Sequence, residues 1–163
     1  MKTLFETVMP MAAGLTAEHP LAAALLAREN IVELTQKSHD AVLTPKVSGG
    51  LSHAVRGALA CRIARHNDES VLAEHFFRMI GGGDDAQIAD VAFDGGSDEK
   101  LKALIAYTDL VALDPKSASS KDIEALVSAG VPEDDIVRLA EINAFVSYQI
   151  RVVVGLRLMA EVV

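Results

Sequence analysis

Of the five histidines in this chain, His75 has the setting best suited to chemistry, since imidazole is the side chain that trades protons near neutral pH. It falls at helical spacing among Leu72, Phe76 and Met79. One reading makes it a core or interface histidine hydrogen-bonded to a neighbour; the other makes it a general acid or base in a pocket. Glu74 and Glu69 stand close by in sequence, and Glu69 is open to two roles, facing the same cavity or forming a solvated helix start. Far downstream, Asn143, Ser147 and Arg151 recur at i, i+4 and i+8, a polar line on an otherwise apolar segment. An arginine there suits a substrate carboxylate through charge-assisted hydrogen bonds. The plainer alternative is a stripe facing solvent or another subunit, with Arg151 paired to an acidic residue. Convergence of Arg151 and His75 on one cavity would make a small-acid site.

Other chemistries are argued against by the same residues. Cys61 is the single cysteine, so no intrachain disulfide forms. It lies about 140° around a helix from His66, which rules out a shared face for a Cys-His nucleophile. A metal site from His53, His66 and His75 has neither a His-x-x-x-His pair nor a carboxylate three residues before any of them, and no metal or other cofactor is expected. Gly81-Gly82-Gly83 runs into Asp84-Asp85 with no Lys-Ser/Thr behind it, so it reads as a helix stop and not a phosphate cradle. Fifteen basic against 23 acidic residues leave a net charge of −8, which argues against a nucleic-acid partner. The apolar stretch from Ile142 onward is interrupted by Arg151, Arg157 and Glu161, and Glu6 and Pro10 break the faint N-terminal signal-like run. The expectation is a cytoplasmic protein with no membrane partner.

The elements that must position these groups are helices. The chain has 163 residues, half of them apolar and only 4% aromatic, with no useful period-2 strand. Pro20 opens a run with Leu21, Ala24 and Leu25 on one face, and residues 30–43 place Ile31, Leu34, Ser38 and Val42 at helical spacing. Ser52 is a candidate cap for a helix through His66 with Val55, Leu59 and Ile63 inward, and Ser70 for the next. Asp98 and Glu99 suit the start of a helix carrying Leu101, Leu104, Ile105, Thr108 and Val111. Ser119 and Asp122 make a loose capping pattern, Gly130 a stop, and Pro132 the first turn of a long last helix. That helix shows two apolar stripes, Leu139-Ile142-Val146-Ile150-Val153 and Phe145-Tyr148-Val152-Leu156-Met159. The spacing predicts a single all-α domain of six or seven helices. An N-terminal helical extension covers about 1–45 and the core about 46–163.

The stretch from Leu51 through Asn67, followed by Asp68-Glu69-Ser70 and His75-Phe76, resembles the core helix pair of the carboxymuconolactone decarboxylase and alkylhydroperoxidase (AhpD-like) superfamily. Lys121 to Leu126, Ala129-Gly130-Val131, Asp135-Ile136-Val137 and Ala144 through Arg151 resemble its C-terminal half. The family's peroxidase motif is a Glu, eleven residues, then Cys-x-x-Cys-x-x-x-His, in which one thiolate attacks peroxide and the second resolves the sulfenic acid. Laid on this chain without gaps, those positions fall on Gly57, Glu69, Leu72 and Phe76, with His75 one residue from the histidine position. The resemblance therefore implies an AhpD-like bundle of a branch without the thiol pair. It implies a homo-oligomer (dimer, trimer or hexamer) and, as a possible partner, an active AhpD-like peroxidase. Three functions follow in order: a small-molecule-binding or accessory oligomer; a cysteine-independent, decarboxylase-like lyase using His75 and Arg151; and residual peroxidase activity through Cys61.

Overall fold

Starts and stops written into the sequence become eight α-helices among the residues that the computed structural model describes, 3–162. They are α1 (Val8–Ala12), α2 (Ala22–Leu26), α3 (Glu29–Leu43), α4 (His53–His66), α5 (Ser70–Ile80), α6 (Glu99–Leu113), α7 (Ser120–Ser128) and α8 (Glu133–Ala160). Short 3-10 segments fill Leu4–Glu6, Asp84–Ala89 and Pro115–Ser117, and no strand occurs among the described residues. The all-α expectation stands. The count exceeds the expected six or seven because the N-terminal extension breaks into short pieces.

Local chemistry explains the boundaries. Ser52 Oγ accepts from the Val55 N–H at 3.1 Å and opens α4. Asp98 Oδ1 does the same for Leu101 at 3.0 Å and opens α6. The Ser119 amide and hydroxyl both donate to Asp122 Oδ2, at 2.8 and 2.9 Å, and open α7. α5 ends at Gly81, whose φ of 74° lies in the left-handed region that glycine enters without steric cost. Ser70 is not the cap of α5: the N-cap position belongs to Glu69, and Ser70 is the first helical residue.

α4 runs through the middle of the molecule, with every residue from Arg56 to Ala64 buried. Its small residues let neighbours close in. A Cβ on Gly57 would stand 3.3 Å from both Met79 Cβ and the Phe76 carbonyl, so Gly57 sets the distance between α4 and α5. Two buried cations on α4 hold the flanking loops. Arg56 donates to the carbonyls of Val42, Ser48 and Leu51, and its burial lowers the guanidinium's pKa. Arg62 grips Asp109 through two bonds of 2.5 and 2.6 Å and also donates to the carbonyls of Ile88, Asp90, Val91 and Phe93. His66 adds a 2.8 Å contact to the same carboxylate.

The inner stripe of α8, from Leu139 through Val153, is buried as its spacing predicts. In the second stripe Phe145 is buried, Val152 and Leu156 are half-buried against α1–α3, and Tyr148 and Met159 stay exposed. Among the described helices α8 alone is long and apolar enough to cross a membrane, although 44% of its apolar window is packed inside the protein. One expected face was wrong. α3 buries Val32, Thr35, His39 and Leu43, while Ile31, Leu34 and Ser38 point outward. Thr35 and His39 turn inward because polar partners wait for them across the bundle.

Candidate functional site

The partner of His39 is His75. α3 carries His39 on its inner face between Thr35 and Leu43, and α5 carries His75 at the margin of the Leu72-Phe76 face. The two Nε2 atoms stand 3.1 Å apart, with ring centroids separated by 5.2 Å. Asp40 Oδ1 lies 3.1 Å from His39 Nδ1, and the same oxygen accepts from Gln36 Nε2 at 2.8 Å. Phe76 stacks over His39 with an 18° tilt, and Phe145 meets it edge-on. His39 is only 4% exposed, whereas His75 is half-buried.

Asp40 accepts from His39 Nδ1–H, so neutral His39 has a bare Nε2, and the proton in the 3.1 Å bond belongs to His75. The arrangement is a proton relay in form, with a carboxylate orienting the inner imidazole.

The other expected site residues are scattered. Glu69 is 3% exposed and meets Arg157 through two 3.0 Å bonds, and Arg157 also donates to the Ala12 carbonyl at 2.9 Å. The Glu69 carboxylate raises the guanidinium's pKa. Glu69 is therefore not a solvated helix start. As the N-cap residue, Glu69 precedes the first residue of α5, and its carboxylate is committed to Arg157 and not to His75. Asn143 is buried, with Nδ2 donating to the Leu139 carbonyl; Ser147 is half-buried; Arg151 is exposed and has no hydrogen bond or ion pair among the described residues. Steps of four residues drift about 40° around a helix, so this polar line leaves the core instead of lining one cavity.

A cleft of about 320 Å³ opens between the N-terminal helices and α8. Its walls include Met9, Leu21, Leu25, Val32, Val152 and Leu156. Arg28, the N-cap residue of α3, is the only charged side chain lining it among the described residues. At its margin the Tyr148 hydroxyl meets Thr35 Oγ1 at 3.1 Å. Cys61 is fully buried in α4, where burial pushes its thiol pKa up. No group of three or more potential metal ligands occurs among the described residues.

His39, Asp40 and Arg28 were not singled out from the sequence. The 3-4-4 spacing of Val32, Thr35, His39 and Leu43 is the signal that marks His39, because it competes on equal terms with the more apolar Ile31-Leu34 face. Arg28 has no such signal; only the folding of α1–α3 onto α8 brings it to a cleft. Comparisons of the chain with protein-family models, with curated proteins and with solved structures find no match.

Proposed function

We propose that this chain is an AhpD-like protein without the family's thiol pair that binds a small molecule in the cleft between α1–α3 and α8, as an oligomeric binding or accessory subunit. The cleft carries the reading: its volume falls at the lower end of the range for small-ligand sites, and its lining is apolar with one cation. The resemblance of residues 51–76 and 121–151 supports the family assignment, and the positions of the missing thiols support a role other than peroxide reduction. The test is titration with a polarity-sensitive anilinonaphthalene dye. Saturable binding lost in Ala24→Trp, which fills the cleft from an exposed position, supports the reading. Binding that survives this substitution removes it.

One observation favours a second reading, the cysteine-independent lyase. The Asp40–His39–His75 relay joins a buried imidazole to a half-exposed one, which suits His75 to supply or take a proton. In this reading Arg151 holds the substrate carboxylate. Carbon dioxide release from a carboxylated lactone is the assay. Loss of kcat in both His75→Gln and His39→Gln, with a KM effect from Arg151→Ala, is the outcome that would promote it.

A further inference from the structure

Eight arginines occur in the sequence, and six have their guanidinium groups engaged. Arg56, Arg62 and Arg65 bind carbonyls, and Arg62 also binds Asp109. Arg78, Arg138 and Arg157 bind Glu74, Asp135 and Glu69. Arg28 and Arg151 have no hydrogen-bonded or ion-paired partner among the described residues, and of these two only Arg28 lines the cleft. A cation at the edge of an apolar groove selects a ligand with two ends. We infer that the cleft takes a medium-chain monocarboxylate, its tail along Leu25, Val32 and Leu156 and its carboxylate against Arg28, an assignment that rests on the small-molecule reading above.

Charge and size narrow the class. A guanidinium offers two parallel N–H groups that match a planar carboxylate. A phosphate ester would bring more negative charge than one arginine balances, to a protein whose net charge is already −8. A cleft of about 320 Å³ lies at the lower end of the range for small-ligand sites, which suits a short aliphatic chain and excludes a long one. Octanoate carries such a chain. Affinity then rises about fourfold per methylene up to the length that fills the cleft and levels off beyond it.

The experiment is calorimetric or dye-displacement titration of the full chain with octanoate and with octanol, in wild type, Arg28→Gln and Ala24→Trp. Both changed residues are exposed, and circular dichroism checks that helix content is kept. The expected result is saturable binding of both ligands by wild type. Arg28→Gln then weakens octanoate about fivefold and leaves octanol unchanged, and Ala24→Trp removes both. Unchanged octanoate affinity in Arg28→Gln, with octanol still bound, overturns the carboxylate and leaves the small-molecule reading standing. No binding of either ligand by wild type at millimolar concentration overturns both. Loss of self-assembly in Ala24→Trp shows a second copy of the chain to be the occupant, which also overturns the inference.

Discussion

A buried imidazole is tolerated in an apolar core only while its two nitrogens are satisfied, and His39 meets that condition through Asp40 and His75. Removing either ring deletes the Nε2–Nε2 bond, so His39→Phe and His75→Phe are each expected to cost about 1–3 kcal/mol. The double variant should cost less than their sum. Urea denaturation of the four proteins measures the coupling, and strict additivity would show the two rings to be independent. Gln149 is the opposite case. It is 1% exposed, and neither amide atom has a partner among the described residues. Gln149→Met keeps the volume and drops the stranded dipole, so a gain of about 1–2 kcal/mol is expected; a loss would reveal a polar role for it. Cys61 is shielded in another way. Its thiol pKa lies above the ordinary value of 9.0 because the ionised form is costly to bury. The stability linked to it is complete below that value and declines as pH rises through the folded value, a decline that Cys61→Ala should lack. Native alkylation should be slow and become fast on unfolding. Peroxide consumption with dithiothreitol should not depend on Cys61, and clear turnover abolished by Cys61→Ser would contradict this.

At the scale of elements, the loops around α4 depend on single side chains. Arg62 satisfies four loop carbonyls as well as Asp109, and Arg62→Ala is expected to cost about 3 kcal/mol or more. Hydrogen exchange should rise first across 84–97, and uniform exchange throughout the chain would show that the clamp is not local. The start of α7 responds to acid. Two donations from Ser119 hold the Asp122 carboxyl below its ordinary value of 3.8. Its contribution is therefore present above that value and lost as pH falls through the folded one, and Asp122→Asn should flatten this dependence in helix melts. The caps at Ser52 and Ser119 were legible because they are local, each bonding three residues ahead, whereas Asp98 was marked only by its charge at a helix start and proves to be a cap as well. The inner face of α3 was not legible. Thr35 and His39 are drawn inward by Tyr148 and His75, separated from them by 113 and 36 residues, and nothing in a helical period reports partners so remote. Glu69 was misjudged for the same reason, its partner Arg157 lying 88 residues on.

For the molecule as a whole, the inner stripe of α8 is consumed by the core, while Val137, Val154, Leu158 and Met159 remain exposed along its length. Apolar side chains repeated on one long helix mark a surface that gains from association. Light scattering is expected to report an oligomer at micromolar concentration, and Leu158→Glu to reduce its mass without altering helix content. A monomeric wild type would contradict this. The depth of Cys61 has a practical side as well. With the only native thiol sealed inside α4, the chain is already a silent background for spectroscopic probes. A single cysteine placed at exposed Glu124 on α7, or at Lys37 on α3, would take a spin label or fluorophore with no prior removal of Cys61. Pairs of such labels would read the distance between the N-terminal extension and the core in solution, and whether it changes when the cleft is filled.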